Sequence, residues 1–142
     1  MNQRGFATLE VILMVVILGI LATVAVPRFT DVTTKANTAK IQSDLTTIDT
    51  AIQIHYMEKG TWISAGNIPN DLKTYLMDIP TPPSGSAFVN GTSTSIGNTK
   101  NYIIIDDPND TSTGTSKAKR AALNIGNANH VAGDFSTTAT TQ

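Results

Sequence analysis

Carboxylates are the side chains whose placement in this chain suggests chemistry, and one of them, Glu10, stands inside an apolar run. The stretch reads Gly5-Phe6-Ala7-Thr8-Leu9-Glu10 and continues from Val11 to Val26 with no further charge. An ionised side chain in such surroundings costs about 3 kcal/mol unless something neutralises it, so Glu10 marks a functional position. A second acidic group, Asp106, Asp107, Asn109 and Asp110, offers enough oxygen to suggest Ca²⁺. Its spacing fits no EF-hand, and an Asp-Asp-Pro-Asn-Asp string is also ordinary turn chemistry, which is the preferred reading. His55 and His130 have no acidic or cysteine neighbour at metal-ligand spacing. No nucleophile elbow, phosphate loop or zinc motif is present, so no enzyme is expected, and no cofactor apart from that calcium alternative.

The element that must position Glu10 runs from Phe6 to Val26, 21 residues. As a helix it spans about 31 Å, enough to cross the hydrocarbon core of a bilayer. A partner for Glu10 arises if the chain is cut after Gly5, because Phe6 then carries a free α-amine with a reference pKa of about 8. Amine and carboxylate lie about one helical turn apart, so they can pair within one chain. They can equally pair between chains stacked with an axial offset. In an apolar bundle the attraction is stronger than in water, although desolvation offsets part of it. Such a pair favours assembly and sets register.

Gly5-Phe6, with Glu10 five residues into the chain after the cut, resembles the class III signal of type IV pilins and type II secretion pseudopilins. Gly19 and Pro27 also fall where many members of that superfamily carry Gly and Pro. The likeness is strong over residues 1–59 and weaker to about Pro83. The commonest pattern has Thr or Ser after the Phe and Ile before the Glu, where this chain has Ala7, Thr8 and Leu9. The resemblance implies cleavage between Gly5 and Phe6 by a prepilin peptidase, N-methylation of Phe6, and alignment of incoming subunits through Glu10. It also implies a homopolymer with minor pilins or pseudopilins, built by an inner-membrane assembly platform. The monomer would wait in the cytoplasmic membrane, single-pass with its head outside, before joining an extracellular pilus or fimbrium.

Other readings of the run explain less. A secretory signal needs a basic start and small residues before its cut, for which Arg4, Thr23 and Ala25 are the candidates. Glu10 breaks that core near its beginning. A plain membrane anchor accounts for the length but not for Glu10 or Gly5-Phe6, and a buried helix of a soluble domain is rarely so long without a polar face.

The 142 residues allow one small domain beyond the run. A head of little more than a hundred residues gains from packing on a long helix. There is no Cys, so the disulfide that closes a C-terminal loop in many Gram-negative pilins is absent. Removing residues 1–5 takes away Arg4 and leaves nine basic against eleven acidic side chains, a net charge of −2. No basic face of the nucleic-acid type stands out.

Beyond Pro27, which should kink the helix, Ile41, Leu45, Ile48, Ile52 and Tyr56 recur at helical spacing, while Lys35, Lys40, Asp44, Asp49 and Glu58 fall mainly elsewhere. This predicts a one-sided helix with Gly60 as its stop. A short helix is expected around 68–76 with Asn70 as its cap. Asn90-Gly91 between Ala87–Val89 and Thr92–Ile96 predicts a hairpin. Residues 102–105 and 122–125 read as further strands, and 106–117 and 136–142 as polar loop and tail.

The expected architecture is therefore α+β: a helix over about 7–58, apolar in its first half, packed on a small antiparallel sheet. The expected divisions are a leader at 1–5, a spanning or filament-core helix at 6–27 and a head at 28–142. Gly19 and Pro27 are expected to be flexible points of the helix. Function is read as a filament subunit, most simply a major type IV pilin serving adhesion, twitching motility or DNA uptake. A major pseudopilin of a secretion or competence system, and a non-polymerising anchored binding or adhesin domain, are the alternatives.

Overall fold

In a computed structural model the backbone is described over residues 3–138, with side chains omitted at 3–5 and 26–28. Helix α1 spans Gln3–Lys59. It is followed by six strands: β1 (Gly66–Asn67), β2 (Ser86–Val89), β3 (Thr92–Ser95), β4 (Ile103–Asp106), β5 (Lys119–Ile125) and β6 (Ala128–His130). One compact unit ends at Thr33 and a second begins at Thr34. The α+β class expected from the sequence is the class observed.

In the first unit α1 is exposed on every side. Large apolar side chains from Phe6 to Val24 are about half exposed or more, as composition without a polar face requires of a helix standing alone. This stretch is long and apolar enough to cross a membrane. Helical geometry passes through Gly19 and Pro27. The kink expected at Pro27 falls at 26–28, outside the residues whose side chains are described.

In the second unit the helix buries Ile41, Leu45, Ile48, Ala51 and Ile52 among Ile104, Tyr102, Leu123, Ile125 and Phe135. The predicted stripe thus forms the core, with one correction. Tyr56 lies at the edge, partly exposed, where its ring stacks on Trp62 with centroids 4.0 Å apart. Gly60 ends the helix with φ +72° and an N–H donated to the Tyr56 carbonyl at 2.8 Å. A side chain there would be strained, which is why glycine serves as the stop.

The strands form two sheets rather than one. A four-stranded antiparallel sheet has the order β1-β4-β5-β6, and β2-β3 is a separate hairpin. Ile104 opposes Ala121 across β4 and β5, and Leu123 opposes His130 across β5 and β6. The predicted Asn90-Gly91 turn closes β2 on β3 with Val89 opposite Thr92 and positive φ at both turn residues. A second two-residue turn, Gly126-Asn127, joins β5 to β6, and like β1 it carried too short an apolar signature to be expected. The helix expected near 68–76 is a short 3₁₀ turn, Asn70–Thr74, that buries Leu72. Asn70 is its first residue rather than its cap. Pro69 precedes it, extended at φ −77°, ψ 162°, and no side chain caps the turn.

Polar side chains of α1 complete the docking. Asn37 Nδ2 donates to the carbonyls of Ser84 and Ser86, both at 3.0 Å, and Thr38 Oγ1 accepts from Phe88 N–H at 2.8 Å. Lys40 Nζ reaches the Thr81 carbonyl at 3.0 Å, and Asp44 accepts from Lys40 and from the buried Tyr102 hydroxyl. Asp49 accepts the Ala121 N–H at 2.6 Å and pairs with Arg120 at 3.3 Å. Among them, Asp49 gives an acceptor to the N–H of the fully buried Ala121, as a buried backbone donor requires. Asp44 and Asp49, expected mainly off the apolar side, are turned onto the head.

Candidate assembly site

Glu10 and Phe6 sit on the same apolar helix, four residues and about 6 Å of rise apart. Phe6 is 81% exposed, and Glu10 is exposed amid side chains none of which is buried. A helix supplies this arrangement without tertiary help: the apolar run satisfies its own backbone and leaves every side chain to its surroundings. A carboxylate so placed has two chemical options, neutralisation in lipid or pairing with a cation brought by another molecule or by its own terminus. Gly5 lies in α1 among the residues whose side chains are not described, as does Pro27. Gly19 has open space around its α-carbon.

The acidic loop behaves as a turn. Asp107 Oδ1 accepts from Asn109 N–H at 2.9 Å, and Asp110 accepts from Ser112 N–H at 2.8 Å and Ala118 N–H at 2.5 Å. These N–H groups hold the Asp110 carboxyl down at about 2. Asp106 pairs with Lys119, whose side chain is largely buried. The carboxylates offered by the sequence as calcium ligands therefore close the loop on itself. Among the described residues no group of three or more His, Cys, Asp or Glu is gathered to hold a metal.

The histidines divide. His130 Nδ1 lies 3.6 Å from Asp134 Oδ2, a neighbour that sequence spacing alone did not mark. His55 is buried edge-on to Tyr75, with no hydrogen-bond partner for Nδ1. A polar cleft of about 460 Å³ opens beside it, lined by Glu58, Asp71, Thr74 and Tyr75 among others. The Tyr75 hydroxyl donates to Glu58 at 2.5 Å, which keeps that carboxyl below its ordinary range.

Sequence comparison bears on what such a helix is for. The type II secretion system core protein G of Klebsiella michiganensis is 26% identical over 102 residues, covering 61% of this chain and 72% of that protein. The type IV narrow pilus major component PilA5 of Thermus thermophilus is 39% identical over 54 residues, 38% of this chain and 47% of that protein. A fimbrial protein of Pseudomonas aeruginosa is 32% identical over 69 residues, 49% and 44% respectively. The chain thus spans 72% of the first relative and less than half of the other two. No protein-family model matches it, and no solved structure does. These relatives are named as components of pili, fimbriae and secretion systems, not as enzymes. With the exposed apolar helix carrying Glu10 and the small antiparallel head that follows it in the chain, they support placing the chain in the superfamily of type IV pilins and type II secretion pseudopilins.

Proposed function

We propose that this protein is the structural subunit of a helical filament, and specifically a major type IV pilin. The observation that carries this is the exposed apolar helix from Phe6 with a single carboxylate at Glu10. That surface suits lipid while the subunit is stored in the cytoplasmic membrane and suits neighbouring helices once it is extracted. Glu10 then meets the α-amine of Phe6, freed by prepilin peptidase between Gly5 and Phe6 and methylated, in its own or an adjacent subunit. Minor pilins and an inner-membrane platform complete the apparatus. The self-closed acidic loop and the Thr-, Ser- and Asn-rich head favour a surface pilus over a secretion piston.

The pseudopilin reading draws on one observation, the core protein G whose likeness covers 61% of this chain. Deleting the gene separates the two: loss of surface filaments supports the pilin, and loss of a secreted protein with filaments intact supports the pseudopilin.

The filament reading itself is tested with Glu10→Ala. The expected result is near-normal membrane-bound protein and a sheared-filament yield reduced severalfold or more, with wild-type subunits beginning Phe-Ala-Thr-Leu-Glu on N-terminal sequencing. Insertion should be unchanged or easier, because a charge leaves the spanning run. Wild-type filament yield from Glu10→Ala would make an anchored binding or adhesin domain the better account. A mature chain starting at Val26 would establish an ordinary signal peptide.

A further inference from the structure

Asn90-Gly91 is the only Asn-Gly step in the sequence, and it lies at an exposed two-residue turn. Both residues have positive φ, 48° and 79°, the geometry that closes β2 onto β3. Such turns usually leave their tip to solvent. Here both tip amides are bound by the C-terminal segment: Asn90 N–H donates to the Asp134 carbonyl at 2.7 Å, and Gly91 N–H donates to the Ser136 carbonyl at 2.9 Å. That segment is anchored by Phe135, 1% exposed in the core, and by Ala132. Asp134 shapes it further, accepting the Val131 N–H at 3.0 Å and lying beside His130. With no cysteine in the chain, these contacts, rather than a disulfide, hold the C-terminal segment across the hairpin.

We propose that Asn90 is a covalent modification site, a succinimide-forming asparagine gated by this C-terminal clasp. The chemistry requires the Gly91 amide nitrogen to lose its proton and attack the Asn90 side-chain carbonyl carbon. A ring N–C bond forms, the bond from that carbon to Nδ2 breaks, and ammonia leaves with the proton. Water then opens the succinimide to aspartate or isoaspartate. The lack of a Gly91 side chain leaves the attacking nitrogen unobstructed, which makes the step favourable in a free chain. In the closed head the Gly91 proton is held by the Ser136 carbonyl, and the bonded turn cannot swing nitrogen onto carbon. Lifting residues 134–136 removes both restraints. The product adds a negative charge at an exposed tip. In its isoaspartate form it also adds a backbone carbon to a turn whose register pairs Val89 with Thr92. A head that has opened is therefore marked permanently.

The test follows deamidation at Asn90 by peptide-mapping mass spectrometry in the full chain, held in detergent micelles at mildly alkaline pH. A free peptide covering residues 86–95 gives the unrestrained rate. Asp134→Ala loosens the clasp while leaving the Phe135 anchor, Phe135→Ala removes the anchor, and Leu72→Ala is a core truncation outside the clasp. Near-UV circular dichroism reports whether each head remains packed. Wild type should react at least about tenfold slower than the peptide, since reaction must wait for local opening. Asp134→Ala should close much of that gap with the head still packed, and Phe135→Ala more of it. Leu72→Ala should stay near wild type. The proposal is overturned if wild type reacts as fast as the peptide, if a packed Asp134→Ala reacts at the wild-type rate, or if Leu72→Ala accelerates Asn90 as much as Phe135→Ala.

Discussion

At the scale of single residues, carboxylates do three different jobs, set by what surrounds them. Glu10 is exposed among apolar side chains, Asp110 is bound by backbone N–H groups, and Asp49 is partly buried between helix and sheet. Burial raises the Asp49 carboxyl above its ordinary value, opposed by the Ala121 N–H and by Arg120. Because the folded value is raised, its contribution to stability is present at low pH and lost as pH rises through that value. Asp49→Ala should cost about 1–3 kcal/mol by leaving the buried Ala121 N–H unpaired. Asp49→Asn should cost less, since an amide oxygen still accepts from Ala121 and no charge is buried. Urea unfolding followed by Trp62 fluorescence measures both, and equal losses would contradict this account. Asp110 has the opposite sign. Its folded value is depressed from 3.8 to about 2, so its stabilisation of the 106–118 loop is present above 3.8 and lost as pH falls toward 2. The Ser112 and Ala118 amide resonances should shift together with a midpoint near 2, and Asp110→Asn should abolish that titration.

At the scale of elements, α1 changes character along its length. Its exposed face between Gln42 and Met57 contains Ser43, Thr46, Thr47, Thr50, Gln53 and Ile54 and carries no charge, because Asp44 and Asp49 are turned inward. The Thr46, Thr47 and Thr50 hydroxyls donate to the carbonyls of Gln42, Ser43 and Thr46 at 2.8–2.9 Å, so their protons are satisfied without solvent. An uncharged helix face rich in Thr and Ser suits a neighbouring subunit in the proposed filament. Thr50→Lys should therefore lower sheared-filament yield severalfold while shifting head stability by no more than about 0.5 kcal/mol, as exposed surface substitutions do. Normal yield would assign this face to solvent. Elsewhere on α1, Gly19 and Pro27 cost helix about 1 and 3 kcal/mol relative to Ala, which makes them the proposed weak points of the fibre core. The 3.6-residue period made the second half of α1 and its buried stripe legible from sequence, and unbroken apolarity the first half. The 3₁₀ turn at Asn70 departs from the expected helix because Pro69, with no side-chain cap bond, stands where a polar cap was expected.

At the scale of the whole molecule, every member of the buried cluster from Ile41 to Phe135 lies beyond Thr33. The residues that are exposed and apolar in the first unit contribute nothing to it. A fragment beginning at Thr34 should accordingly be soluble without detergent and unfold cooperatively in urea. It should also retain the Trp62 fluorescence of the full chain. Dependence of its folding on micelles would mean that the preceding helix supplies part of the core.

The features that sequence alone determined are those carried by contiguous residues. They are the apolar run with Glu10, the one-sided helix ending at Gly60, the Asn90-Gly91 hairpin and the β-prone run at 103–105. Each follows from local periodicity or from one residue's conformational freedom, so no distant partner was needed to see it. Tertiary structure decided the rest. It separated β2-β3 from the sheet that holds β4 and β5, turned Asp44 and Asp49 toward Tyr102 and Ala121, and set Phe135 in the core beneath a clasped turn. Those choices join polar groups about 45 to 70 residues apart in the chain, and such a pairing leaves no periodic trace in either segment.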